Sequence, residues 1–196
     1  MNSSRPKTRN AIATRANILR AAWRRFADDG YEGAPLRDIA SDAGIDVALV
    51  SRYFGSKEEL FEEVLTSHGP SNILDGGLEG FGERVARTFA VDPVEAGKLD
   101  KLLMILRSTS SPKAVAVITR NCQDTFYGPL ETLLGGPDRA VRARLVTSMI
   151  TGFAIVRAID GDYPSVRDRE DLCKRFAILL QQIVDQVPAS SPNKKN

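Results

Sequence analysis

Residues 36–54 read LRDIASDAGIDVALVSRYF, a run whose small, turn-forming and apolar positions predict two short helices set across one another. Pro35 can open the first of them at its first position, where a missing N–H costs nothing, and Leu36 to Ala43 then makes two turns. Gly44-Ile45-Asp46 breaks the pattern, and Asp46 offers a side-chain oxygen to the free N–H groups of a second helix, Val47 to Phe54. Ala40 stands four residues before Gly44 and Val50 six residues after it. Helices that cross near a right angle must approach closely, so a small Ala40 suits the crossing, Gly44 can take positive φ at the turn, and Val50 seals the second helix onto the first. A second helix held this way projects from the body and can enter a major groove about 12 Å wide. On spacing alone, an ordinary helical hairpin joined by glycine reads the same way.

Outward from this unit the chain stays helical. Ile12, Ala16, Leu19, Trp23 and Phe26 recur at three- and four-residue steps between Thr8 and Asp29, which predicts an amphipathic helix stopped by Gly30. Ser56 and Glu59 have the spacing of a reciprocal capping box, opening a helix that carries Leu60, Phe61, Val64 and Leu65. The stretch 69–80, GPSNILDGGLEG, is dense in turn formers and is the expected domain boundary. Beyond it, helices are expected over 78–90, 94–108, 112–134, 137–159 and 166–187. The fold class expected is all-α with about nine helices: a three-helix helix-turn-helix domain over 1–68, a larger helical domain over 69–187, and a disordered tail over 188–196.

Composition narrows the function. The chain has 196 residues, 42% hydrophobic, with a net charge of +2, ordinary for a folded protein. No run of 18 uncharged apolar residues occurs and the N-terminus lacks the apolar core of a secretory signal, so a cytoplasmic location is expected. Cys122 and Cys173 lack metal-ligand spacing and His68 is the single histidine, so neither a metal site nor a disulfide framework is suggested. There is no glycine-rich phosphate loop, no G-x-S-x-G and no histidine paired with carboxylates, so neither an enzyme nor a cofactor is expected. Charge is unevenly spread. Through Ala27 the chain carries Arg5, Lys7, Arg9, Arg15, Arg20, Arg24 and Arg25 and no acid, which reads either as a footprint for phosphate backbone or as a solvated arm and helix face.

The segment from Ala16 to Phe61, ANILRAAWRRFADDGYEGAPLRDIASDAGIDVALVSRYFGSKEELF, resembles the DNA-binding domain of the TetR family of bacterial regulators, with AGIDVALVSRYFGSKEEL the most specific part. The resemblance covers about a quarter of the chain. It implies a three-helix DNA-binding head, a divergent C-terminal domain for ligand binding and dimerisation, and release of DNA when ligand binds. Carried onto this sequence, Val47, Ala48 and Leu49 open the recognition helix, Arg52 reads bases or backbone, and Tyr53 and Lys57 meet phosphates. Ser51 on the same helix, Pro35, Leu36 and Arg37 at the start of the preceding one, and Arg5, Lys7, Arg9 and Arg15 complete the candidate DNA-contact set. Two positions depart from the family pattern. Ser51 stands where tyrosine is frequent, and Ala34 stands where a capping threonine is frequent, a cap usually worth about 1 kcal/mol.

One short helix reads few base pairs, so such heads act in pairs about 34–36 Å apart, and a homodimer is expected. The helix after Pro137 is apolar nearly all round, with Ser148 and Gly152 forming a small-residue notch, and the last helix carries a cleaner stripe. Leu145, Ser148, Met149, Gly152, Phe153, Val156, Leu172, Phe176, Leu179 and Ile183 form the candidate dimer interface, a four-helix contact. A buried central helix in a monomer is the alternative. Leu103, Met104, Ile118, Cys122, Phe126 and Tyr127 are candidates for an apolar effector pocket, or are plain core. The function expected is a ligand-responsive repressor on a palindromic operator in double-stranded DNA, released by an unidentified small molecule. A helical protein–protein adaptor is the rival.

Overall fold

The computed structural model describes residues 5–67, 73–91, 98–160 and 165–186, and among them every regular element is a helix. Side chains of residues 5–10 lie outside the description, as do His68, the Pro93 region and the C-terminal tail. The helices are α1 (Arg5–Gly33), α2 (Leu36–Ala43), α3 (Val47–Phe54), α4 (Lys57–Ser67), α5 (Phe81–Ala86), α6 (Lys98–Arg107), α7 (Pro112–Cys122), α8 (Gly128–Leu134), α9 (Arg139–Asp160) and α10 (Val166–Asp185). A π turn over Arg87–Val91 extends α5, and another over Gln123–Tyr127 lies between α7 and α8, within the stretch 112–134 where one helix was expected. Gly30, at φ 69°, interrupts α1 where the sequence placed its stop.

The chain divides into two compact units, 1–69 with 100–121, and 70–99 with 122–196. This differs from a single cut after residue 68, and the apolar residues give the reason. In the first unit, Ile18, Ala22 and Phe26 of α1, Ile39 and Ala40 of α2, Val50 and Phe54 of α3, and Leu60, Phe61, Val64 and Leu65 of α4 share one core with Met104, Ala114 and Val117 from α6 and α7. The three-helix head alone would leave its α1–α4 side exposed, and burying such side chains is worth about 1.5–3 kcal/mol each. Phe61 stands edge-on to both Phe26 and Tyr31, with ring centroids 4.9 and 5.1 Å away. The inward face of α1 is set by Ile18, Ala22 and Phe26, whereas Ile12, expected on that face, is 67% exposed and Ala16 is exposed.

Polar ties fasten the same surfaces. Ser108 Oγ accepts from the Tyr31 amide at 2.9 Å and donates to the Met104 carbonyl at 2.7 Å. Lys101 Nζ donates to the Leu65 carbonyl at 2.6 Å, and Arg120 makes a two-pronged contact with Glu62 at 2.9 Å. Exposed pairs of this kind contribute about 0–1 kcal/mol each, so the apolar seal carries most of the energy.

In the second unit, Phe81, Val85 and Ala86 of α5, Leu130 and Leu134 of α8, Val146 and Ile150 of α9, and Phe176, Leu180 and Val184 of α10 form a separate core. Phe153 and Phe176 stack with centroids 4.3 Å apart. Ser165 caps α10 by accepting from the Asp168 amide at 3.1 Å.

Candidate nucleic-acid interface

The α2–α3 turn is built as its residues require. Gly44 takes φ 69°, ψ 35° and donates to the Ser41 carbonyl at 3.1 Å, while the Ile45 amide reaches Ala40 O at 3.0 Å. Ala40 and Val50 are both buried at the crossing. Asp46 accepts from the Ala48 amide at 2.7 Å and so caps α3. Pro35 stands one residue earlier than expected, as the cap of α2 with no side-chain bond, and its carbonyl accepts from the Asp38 and Ile39 amides at 3.0 and 3.3 Å. With Val50 and Phe54 buried, α3 presents Val47, Ala48, Ser51 and Arg52 to solvent. Leu49 is half-buried, and Tyr53 and Leu36 are half-buried against the head core.

Two electrostatic devices fix this helix pair. Arg25 of α1 grips Asp42 of α2 with Nε and Nη2 at 2.6 and 2.9 Å, the planar fork matching the carboxylate. The guanidinium holds the Asp42 carboxyl below its ordinary value of 3.8. At the start of α4, Glu59 accepts from the Ser56 amide at 2.7 Å while Ser56 Oγ accepts from the Glu59 amide at 3.1 Å, the reciprocal box read from the sequence. The Ser56 amide, and the Ser56 hydroxyl donating to the same oxygen at 2.8 Å, lower the Glu59 carboxyl as well. Carboxylates with folded values below unfolded ones stabilise the fold at pH above the unfolded value, and that stability is lost as pH falls through the folded one. The thermal midpoint of the head therefore drops with acidification from about pH 5 downward, and Asp42→Asn flattens that dependence. Superimposable pH profiles for parent and variant in circular-dichroism melts would remove Asp42 from this role.

Several cations expected at phosphates are engaged inside the head. Arg15 pairs with Glu63 of α4 and lies over the Phe54 ring at 4.8 Å, so it ties α1 to α3 and α4. Lys57 Nζ sits 4.5 Å over the ring of Tyr31, a contact that favours a cation on an aromatic face. Burial lowers the Lys57 ammonium while Glu32 and Glu58 act against that shift. Burial, then the neighbouring Glu58 carboxylate, raise the Tyr31 phenol above its ordinary value. Arg37 is well exposed, 3.3 Å from Asp38. The side chains of Arg5, Lys7 and Arg9 lie outside the described residues, though the helix itself starts at Arg5. The pairing of Arg25 with Asp42 leaves no mark in the sequence, because no periodicity links positions 17 apart.

In the second unit, Leu145, Ser148, Gly152 and Val156 line an exposed stripe of α9, and Leu172 and Leu179 are exposed on α10. Phe176 points into the core instead, drawn there by its stacking on Phe153, and Met149, Phe153 and Ile183 are partly buried against the same core. The six candidate pocket residues divide. Met104 is fully buried in the head's core and Ile118 packs on it, Leu103 and Cys122 are half-buried, and Phe126 and Tyr127 pack in the second unit. An open groove in that unit runs between the start of α5 and α10, with Leu78, Ala177 and Ile178 beside Glu79, Glu83 and Asp185, and contains none of the six. Among the described residues no helix is long and apolar enough to cross a membrane, and no cluster of metal-binding side chains occurs.

Comparison with known proteins agrees with this geometry. Residues 18–64 match the family described as bacterial regulatory proteins, tetR family, and residues 79–184 match a tetracyclin repressor-like C-terminal domain. An HTH-type transcriptional repressor of Mycobacterium tuberculosis is 32% identical over 107 residues, 49% of this chain and 55% of that protein. One from Streptomyces coelicolor is 42% identical over 96 residues, 48% of this chain and 43% of that protein. The chain thus spans about half the length of the curated relatives it matches. Among solved structures, a TetR-family regulator from Streptomyces coelicolor aligns over 94% of this chain and all of that one at 29% identity with a TM-score of 0.54. NalD, the secondary repressor of the MexAB-OprM multidrug efflux pump in Pseudomonas aeruginosa, aligns over 86% and 95% at 19% identity with a TM-score of 0.66, a likeness of fold.

Proposed function

Because the chain belongs to the TetR family of bacterial regulators, we propose that it is a DNA-binding transcriptional repressor that acts as a homodimer on a palindromic operator and is released by a small-molecule effector. The observation that carries this reading is α3 itself, locked inward by Val50 and Phe54 while Val47, Ala48, Ser51 and Arg52 face outward. In a helix-turn-helix the second helix lies in the major groove and its first residues meet base edges. Pairing supplies the second half-site, and the exposed α9 stripe of Leu145, Ser148, Gly152 and Val156, with Leu172 and Leu179 of α10, offers a self-complementary surface for it. An effector acts by binding one state of the dimer more tightly than another, and it weakens operator affinity by at most that ratio. The role is binding, carried out in the bacterial cytoplasm, with no catalytic step.

The test is titration of the full chain against duplexes from the DNA flanking its gene, at several salt concentrations. Affinity for the preferred duplex should fall steeply with ionic strength and sedimentation should show a dimer. Tyr53→Phe should weaken all duplexes alike by about 1 kcal/mol, while Arg52→Ala should cost about 1–3 kcal/mol and change site preference. Salt-insensitive binding would return the adaptor reading to favour, and an Arg52→Ala variant that binds DNA as the parent does would remove Arg52 from the contact set.

A further inference from the structure

The side chains that α3 exposes leave few bases for it to read. In the major groove, arginine or lysine pairs with guanine, asparagine or glutamine with adenine, and aspartate or glutamate with cytosine. Apolar groups meet the thymine methyl, and serine adapts to several bases. The α3 sequence, VALVSRYF, contains no amide, no carboxylate and no lysine. Asp46, the adjacent acid, is tied to the helix start, where its Oδ1 accepts from the Ala48 amide at 2.7 Å. What remains outward is an apolar surface at Val47, 42% exposed, and Ala48, followed by Ser51 and the guanidinium of Arg52.

We propose that this chain selects its half-sites by thymine methyl groups seated against Val47 and Ala48, together with a guanine read by Arg52. The inference rests on α3 being the recognition helix. Ala48 and Arg52 are one helical turn apart on one face, about 6 Å along the axis, so the two signals fall within about two base pairs of each other. Adenine and cytosine enter the code through their partners, as the complements of thymine and guanine.

The experiment enriches a random 30-base-pair duplex pool on the full-length protein and resynthesises the winning duplex with single replacements. Deoxyuridine for thymidine removes the 5-methyl group and nothing else. It should lower affinity about fourfold per seated methyl at one or two positions in each half-site, and be silent elsewhere. Replacing guanine by 7-deazaguanine should weaken binding at one further position, and Arg52→Ala should erase that difference. Val47→Ser should erase a deoxyuridine penalty, its folding checked by circular dichroism, although the comparison on the parent protein decides without it. Enrichment of a sequence indifferent to every deoxyuridine replacement overturns methyl reading and leaves DNA binding standing. Failure to enrich any sequence overturns the repressor reading as well, so the two failures are distinguishable.

Discussion

Alanine at position 82 costs the second unit about 3 kcal/mol, read as a lowered midpoint in chemical denaturation. Gly82 sits where α5 lies against α10, and a Cβ built there would meet the Ala177 carbonyl oxygen at 2.1 Å and the Gln181 amide nitrogen at 3.0 Å. Both are backbone atoms of a helix, so no side chain can swing aside. The helices must separate, which loosens Phe81, Val85 and Ala86 from their core and breaks a polar clamp. Gln181 Oε1 accepts from the Gly82 amide at 2.9 Å, while its Nε2 donates to the Leu78 carbonyl at 3.0 Å and to Asp185 at 2.8 Å. Gly152→Ala is the matched control, since a Cβ there meets nothing within 4 Å inside the chain. It should leave folding intact and show its effect, if the α9 stripe is the dimer contact, in the sedimentation profile. A Gly82→Ala protein as stable as its parent would contradict the close approach of α5 and α10.

Arg142→Met should lower stability by about 3–5 kcal/mol, a fall of about 10 °C or more in the thermal midpoint. The Arg142 side chain is 7% exposed and serves three helix ends. Its Nε meets Asp138 Oδ1 at 3.0 Å near the start of α9, Nη2 meets the carbonyls of Leu134 and Gly135 at 3.1 and 2.5 Å where α8 ends, and Nη1 meets the Val184 carbonyl at 3.0 Å near the end of α10. The last carbonyls of a helix have no partner within it, and burying them unpaired costs about 1–3 kcal/mol apiece. Methionine fills much of the volume and supplies no donor. Arg142→Lys should recover little, because one ammonium cannot span acceptors on three sides as the planar fork does. Recovery to the parent midpoint by lysine would show that charge, rather than the fork, is what the site needs.

The helix-turn-helix was legible because its instructions are local. Ala40, Gly44, Asp46 and Val50 act on neighbours within a few residues, and each performs the expected role at the crossing, the turn, the cap and the seal. The Ser56 and Glu59 box is of the same kind. So is the cap made by Ser165 with Asp168, whose spacing offered a signal that the sequence reading passed over. The long apolar helix α9 was expected to be covered on both sides. One side is the second unit's core, and the opposite side is the exposed stripe that dimerisation would cover.

What residues of like type do depends on partners far away in the chain. Arg15, Arg25 and Arg52 are alike as residue types, yet the first two are spent on Glu63 and Asp42 while the third faces outward on α3. Met104 was open to two readings, effector pocket or plain core, and it lies fully buried in the head's core. Helix identity, turns and caps were settled along the chain, since they arise from interactions spanning three or four residues. The division of labour among arginines, the union of α6 and α7 with the head, and the clamp by Gln181 across 103 positions were settled by packing, where which surfaces meet is a property of the whole folded unit.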